Sequence, residues 1–422
     1  MKTSMRLSAI AVAAALGGLA SSAFAGGFGI GTQSGSGTGN AYAGGAAAAD
    51  DASVAWYNPA AMMLLPSGKQ IAGALHALRP SFKFQNTGST GVFAAAGTGE
   101  GGDGGDWALV PNLFFTTDIN PRWRFGLAVN APFGLATEYD PGWRGRQTAI
   151  KSEIKSVNVN PSIAYKISDT VSLGVGVSAQ KLEAELSSFS GVGALGNVTL
   201  NADDTSYGFN LGMLVQVSPS TRIGATYRSS ISYDLEGTAT FSGAAGGGFG
   251  GGIRAEVKVP DSASLSVVHT LDPKWELMGD ITWTGWSSVQ QLVVTRTTAS
   301  AGGGVGTTLT TLPFLWKDTW RFGAGANYKV SDQTKIRFGL ARDQTPTNDA
   351  TRTPRLPDQD RTWIAIGAQH KLSKAGVLDV GYAHEFVRDA AVNVSVPPFP
   401  GRLIGSFNNK ADIFSIQYSH SF

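Results

Sequence analysis

The chain has 422 residues with 33 Lys and Arg against 31 Asp and Glu, no Cys, 15% charged residues and 55 Gly. This near-neutral balance argues against a nucleic-acid partner, and the absence of Cys excludes a disulfide framework. No run beyond the N-terminus reaches the ~18 apolar residues of a helical membrane span, which leaves a periplasmic protein, a secreted protein or an outer-membrane barrel.

Residues 1–25 read as a signal peptide. Lys2 and Arg6 supply the basic end, Leu7 to Ala20 the apolar stretch, and Ala23-Phe24-Ala25 a small-x-small cleavage site. The apolar stretch is shorter than the ~20 residues of a membrane anchor. Cleavage before Gly26 removes two bases and leaves the processed chain formally neutral.

Residues 26–68 do not read as strands. They contain Gly35-Ser-Gly37-Thr-Gly39-Asn-Ala-Tyr42, then Ala49-Asp50-Asp51-Ala52, then Tyr57-Asn58-Pro59-Ala60-Ala61. A segment this rich in Gly and Ala buries too little to fold alone, so it needs a container or remains a disordered tail. Asn58 and Pro59 predict a turn in which the Asn side chain bonds the backbone.

From residue 69 onward the pattern is period two. Trp123, Phe125, Leu127 and Val129 alternate with Arg124, Gly126 and Asn130, and Trp320, Phe322, Ala324, Ala326, Tyr328 and Val330 alternate with polar residues or Gly. Fourteen such segments are predicted: 69–84, 106–117, 122–131, 153–167, 170–185, 205–217, 221–236, 253–270, 274–286, 318–330, 334–343, 361–371, 376–388 and 410–422. Tight turns alternate with long Gly-, Pro- and Thr-rich connections, the longest near 287–317. An even strand number, short turns on one rim and long loops on the other predict an all-β, 14-stranded antiparallel transmembrane β-barrel over 69–422. A β-sandwich or propeller gives no reason for the loop lengths to alternate. At the C-terminus Phe414, Ile416, Tyr418 and terminal Phe422 share a face, a dyad pattern resembling the signal read by barrel-assembly machinery, from which His420 departs. A barrel of this width is not filled by its own side chains, since roughly eight strands already suffice for that, so residues 26–68 are expected to form a luminal hatch.

The elements Gly39-Asn-Ala-Tyr-Ala-Gly44, Ala49-Asp50-Asp51-Ala52 and Tyr57-Asn58-Pro59-Ala60-Ala61 resemble the N-terminal hatch of FadL-type outer-membrane transporters of long-chain fatty acids and other hydrophobic compounds. Pro132-Phe-Gly-Leu-Ala-Thr137, Trp143-Arg-Gly-Arg146, Asn160-Pro161-Ser-Ile-Ala-Tyr165 and Leu356-Pro-Asp-Gln-Asp-Arg361 extend the resemblance over the processed chain. The resemblance implies passive import: capture between extracellular loops, luminal binding against the hatch, and lateral release into outer-membrane lipid at a kink in the third strand, here followed by Pro132 and Gly134. A lateral exit is physically apt. Roughly 0.8 kcal/mol per methylene, about 11 kcal/mol for fourteen, opposes passage of a fatty chain through water.

Candidate ligand residues follow from chemistry and parity. Lys317 and Arg321, placed on the luminal face by extending the Trp320 alternation, are candidates for a carboxylate, with pairing of Lys317 to Asp318 as the competing reading. Arg144 and Arg146 line an entry groove or pin their loop. Phe133, Leu135, Leu312, Pro313, Phe314 and Leu315 are apolar loop residues suited to a capture groove or to mutual packing. Asn58, Pro59 and Ala60 are expected to hold the hatch to the wall. The His residues at 76, 269, 370, 384 and 420 show no metal-ligand spacing, and no nucleotide loop, cofactor motif or catalytic triad is evident, so an enzyme such as a barrel lipase is not expected. The alternatives are a general diffusion porin and an importer specific for aromatic hydrocarbons.

Overall fold

The computed structural model describes residues 26–95 and 99–422; the expected signal peptide lies outside the described residues. Among the described residues, strand segments join into one sheet. The first half of the chain contributes β1 (Lys69–Asn86), β2 (Ala108–Asn120), β3 (Trp123–Asn130), β4 (Gly134–Glu138), β5 (Lys151–Lys166), β6 (Val171–Phe189), β7 (Asn197–Ser218), β8 (Thr221–Arg228), β9 (Ile231–Phe241) and β10 (Gly251–Val259). The second half contributes β11 (Ser262–Thr270), β12 (Trp275–Thr284), β13 (Gln291–Arg296), β14 (Thr308–Pro313), β15 (Thr319–Lys329), β16 (Thr334–Asp343), β17 (Arg361–Lys371), β18 (Gly376–Val387), β19 (Ala390–Val394) and β20 (Leu403–Ser421).

The wall is a closed antiparallel ring of 14 strands: β1, β2, β3, β5, β6, β7, β8, β11, β12, β15, β16, β17, β18 and β20. Closure comes from β1 pairing β20 over Gln70↔Ser421 to Asn86↔Gly405. β9 and β10 continue β8 and β11 beyond breaks at Ser229-Ser230 and Pro260-Asp261, where Pro260 lacks the N–H a ladder needs.

Every predicted segment is a strand or a broken pair of strands, but several run further. β7 begins at Asn197 and β20 at Leu403, and residues 287–317, expected as a loop, contain the hairpin β13–β14. In these extensions the outward positions are polar, as at Asn201 and Asp203, so a search for apolar outward residues stops at the edge of the lipid.

The outward face carries Val175, Phe209, Leu211, Leu265, Phe322, Phe338, Ile364 and Ile416, each at least 40% exposed. In water this band would be a large aggregation surface, whereas against lipid it is the membrane-spanning girdle. Facing pairs of aromatics mark one edge: Trp123 with Tyr165, centroids 4.5 Å apart, and Trp275 with Tyr328, 4.7 Å apart.

Residues 26–65 pack against the inner face of the ring on all sides. The segment has little regular structure, two four-residue helical turns at Gly35–Thr38 and Val54–Tyr57 and a 3-10 turn at Pro59–Leu64, so the wall satisfies much of its backbone. Asn40 donates to the carbonyls of Ala326 and Phe338, Ser266 accepts from the Ala46 N–H, and Arg124 donates to the carbonyls of Met62 and Leu65. Asp50 forms ion pairs with Lys335 at 3.0 Å and Arg337 at 2.9 Å, and Arg337 continues to Asp379 at 3.0 Å. The Asn58 side chain accepts from the Ala60 N–H, as the turn reading expects, and also donates to Ala46 O at 2.6 Å and Met213 O at 3.0 Å. Pro59 opens the 3-10 turn, and Ala60 is fully buried with its carbonyl accepting from Ser172.

Small inward residues make this approach possible. A Cβ added at Gly224 would lie 1.9 Å from Ala46 O, and one at Gly339 would lie 2.1 Å from the Asn40 carbonyl carbon. Two outcomes are expected. Gly339→Val displaces the segment while the ring remains inserted, giving a steady ion conductance in planar bilayers that the wild type lacks; unchanged conductance counts against this packing. Asn58→Ala leaves the buried Ala46 carbonyl without its side-chain donor, a loss of about 1–3 kcal/mol for a group left unsatisfied, and should raise protease sensitivity within residues 26–65 before the ring itself unfolds.

Candidate functional site

Phe28 lines one cavity and packs against aromatic residues that line a second. Its buried ring sits 4.9 Å from Trp286, 5.6 Å from Trp316 and 5.8 Å from Phe133, centroid to centroid. One cavity, about 80 Å³, is walled by apolar side chains including Phe28, Leu135, Leu182, Leu235, Phe314 and Trp316. The other, about 260 Å³, mixes Phe133, Trp286 and Trp363 with Asn210, Arg228, Asp280 and Arg321.

The apolar cavity has a basic edge. Arg352 and Arg355, from the loop between β16 and β17, both line it. Arg352 pairs with Asp349 and donates to Asp358 O at 2.8 Å and Ala391 O at 2.9 Å. Arg355 is different: it is buried, donates to Ser152 Oγ at 3.0 Å and to the carbonyls of Lys151 and Ser187 at 3.3 Å, and its Nε has no partner. No carboxylate pairs with it among the described residues. Burial pushes its guanidinium down to about 10, so it is still charged at neutral pH.

The sequence-derived candidates divide. Arg321 lies on the inner face and lines the mixed cavity, but it is engaged: it pairs with Asp280 at 3.2 Å, donates to Ala41 O, and stands 6.0 Å from the Trp363 ring centroid. Lys317 does not share that face. β15 begins only at Thr319, and residues 316–318 are outside any strand, so the period-two parity does not extend back to Lys317. Lys317 is exposed and lines neither cavity, and Asp318 accepts from the Ser287 N–H instead of pairing with it. Arg144 pairs with Glu100 at 3.2 Å and Arg146 stacks 5.0 Å over Phe189, so both fasten their loop and line neither cavity. Phe133 lines the mixed cavity, while Leu135, Leu312 and Phe314 line the apolar one. Pro313 and Leu315 are exposed and line neither. Phe28, Trp286, Trp316 and Arg355 were not singled out from the sequence. The basic pair in Arg352-Thr-Pro-Arg355, just before Leu356-Pro-Asp, was the available signal.

The third strand is interrupted as its Pro132 implies. Pairing of β2 with β3 ends at Leu113↔Val129, and β4 pairs with β5 alone, leaving Ala108–Asn112 of β2 bonded only to β1. The N-terminal segment binds the chain at the kink: Ile30 N donates to Pro132 O, Gly134 N to Phe28 O, and Gly29 faces Phe133 in an antiparallel bridge. Gln33 adds bonds to Ala131 O and Asn130.

Known proteins share this architecture and sequence. The family model described as outer membrane protein transport protein (OMPP1/FadL/TodX) matches residues 17–422. The long-chain fatty acid transport protein of Escherichia coli (strain K12) is 27% identical over 465 residues, covering 100% of this chain and 99% of the relative. Outer membrane protein P1 of Haemophilus influenzae is 29% identical, covering 91% of this chain and 90% of the relative. A crystal structure of a Pseudomonas aeruginosa FadL homologue superposes with a TM-score of 0.85 at 28% identity, covering 94% of this chain and all of the other. The Pseudomonas putida toluene transporter TodX shares the fold, with a TM-score of 0.71 at 18% identity over 92% of this chain and 98% of the other. With a closed ring of 14 strands, a lipid-facing girdle and a family match over nearly its whole length, the chain is an outer-membrane β-barrel that belongs to the outer membrane protein transport protein (OMPP1/FadL/TodX) family.

Proposed function

We propose that this barrel imports long-chain fatty acids passively across the outer membrane, with Arg355 receiving the carboxylate. One observation carries the choice of cargo: a buried guanidinium without a carboxylate partner among the described residues stands at the edge of a predominantly apolar cavity. A charge-assisted bond to a fatty-acid headgroup supplies the missing anion while the chain lies along Leu135, Leu182, Leu235 and Phe314. An uncharged hydrocarbon such as toluene makes no use of that cation, which places the aromatic-importer reading second.

The route follows from the cavities. At about 80 Å³ the apolar cavity is far below the roughly 300–1,000 Å³ of a drug-sized site, so a long chain enters as the loops around Phe314 and Arg355 part. Residues 26–68 act as the hatch, denying water and ions a straight passage and disfavouring the diffusion-porin reading. Phe28 lines the apolar cavity and packs on Phe133 and Trp286 of the mixed one, and the edge of β2 left free from Asn112 to Ala108 offers a sideways exit into lipid once residues 28–30 release Pro132 and Gly134.

Two measurements test this reading. Arg355→Gln should weaken oleate binding to the purified barrel at least tenfold while leaving toluene uptake by whole cells unchanged, and Lys317→Ala should change neither. Equal losses of both cargoes in Arg355→Gln would remove the headgroup role. Cysteines at Gly29 and Phe133, which face each other in the bridge, should form a disulfide that blocks oleate uptake until a reductant is added; uptake that persists with the bridge closed would exclude the sideways exit.

A further inference from the structure

Two lysines stand beside each other on the outside of the barrel, beyond its lipid-facing girdle. The register of β1 with β20 sets Ala77 opposite Phe414 within the girdle and, past them, Ser81 opposite Lys410 and Lys83 opposite Asn408, all on the outer face. Lys83 and Lys410 are therefore diagonal neighbours, roughly 7–8 Å apart across the two strands. Both are exposed, and both lie toward the rim of long loops, which faces the medium in barrels of this kind.

Neither lysine has an ion pair among the described residues, because the acids around them are engaged. Asp103, which meets Lys83 in a backbone bridge, accepts from Ser81 Oγ at 2.7 Å and from the Phe82 and Gly105 N–H groups at 2.8 and 3.1 Å. Asp412 binds His384 Nδ1 and accepts from Tyr382 OH, each at 2.7 Å, and Asp389 accepts from Asn408 at 3.3 Å. The outer face of β5 and β6 is different. There Lys151, Lys155 and Lys181 all pair, with Glu153, Glu185, Glu183 and Asp203. Like charges held close on one sheet face repel unless an anion joins them.

We infer that Lys83 and Lys410 bind the headgroup of an outer-leaflet glycolipid that carries phosphates on its sugars. The membrane itself supplies the occupant, since lipid surrounds this face of the wall. Height selects its class. Lys410 lies four residues beyond Phe414 and Lys83 six beyond Ala77, roughly 13 and 20 Å along strands tilted by about 40°. That puts both outside the roughly 5–8 Å headgroup layer of an ordinary bilayer. A phospholipid carries its phosphate at the hydrocarbon edge, whereas phosphates borne on sugars stand further out and reach both ammonium groups. Below the lysines, Phe414 packs on Tyr382 and Trp107, with centroids 5.1 and 6.3 Å apart, a flat bed for the acyl chains of the same molecule. The site is on the outer wall, so it is independent of the cargo and of Arg355.

The test uses barrel extracted from outer membranes and stripped of lipid in detergent. It is titrated with bisphosphorylated lipid A or with phosphatidylglycerol, and native mass spectrometry reads the bound fraction. Lipid A should bind at least tenfold more tightly than phosphatidylglycerol. The double variant Lys83→Gln/Lys410→Gln should lose that preference, Lys83→Arg/Lys410→Arg should keep it, and Lys181→Gln, on the paired face, should leave it unchanged. Equal affinity of the wild type for the two lipids overturns the assignment, as does a preference that survives the double glutamine change or is lost equally in Lys181→Gln. Displacement of lipid A by millimolar inorganic phosphate also overturns it, by making the site one for free anions. If the double glutamine variant fails to insert, the wild-type preference and the phosphate competition decide.

Discussion

The structure depends on one constraint: a segment with almost no secondary structure of its own lies inside a membrane-spanning ring, where each buried N–H and C=O must find a partner. The wall provides them through side chains that reach inward, including Arg124, Arg222 and Arg228 to the carbonyls of Met62, Ala47 and Trp56. Each bond contributes only about 0.5–1.5 kcal/mol net, but an unpaired buried group costs about 1–3. The segment is therefore held less by the strength of any bond than by the penalty for leaving several unmade at once. Gly224 and Gly339 matter for the same reason, since they let backbone meet backbone without an intervening side chain.

The residues from Gly26 to Gln33 concentrate three tasks in one short stretch. Gly26 and Gly27 donate to Asp343 and Asp358, Phe28 lines the apolar cavity and packs on Trp286 of the mixed one, and Phe28 to Gln33 bind the backbone at the strand-three kink. Because these positions are consecutive, displacement of one moves the others.

The wall was legible in the sequence because lipid imposes a strict rule: outward residues of a spanning strand are apolar, so period two is visible even at Trp123–Asn130, an eight-residue strand. The rule lapses outside the lipid, which is why the first residues of β7 and β20 and the hairpin β13–β14 escaped it. It also fails where the strand ends: β15 begins only at Thr319, so alternation counted back from Trp320 does not hold as far as Lys317. Arg144 and Arg146 had the right charge but partners close at hand in Glu100 and Phe189, and no spacing rule distinguishes a loop-pinning arginine from a ligand-binding one.

The sequence by itself determined the strand number, the inward and outward faces, the tight and long rims, the poverty of residues 26–68 in self-structure, and the turn at Asn58. These follow from local periodicity and backbone preference, which a linear pattern records. Only the tertiary structure decided which buried cations lack a carboxylate, which rings enclose a cavity, and which acid faces Gly26. Arg355 lies more than 160 residues from Ser187, and Asp343 lies 317 residues from Gly26. Closing the ring brings such groups together, and whether a charge is paired depends on that closure and not on its neighbours in the chain.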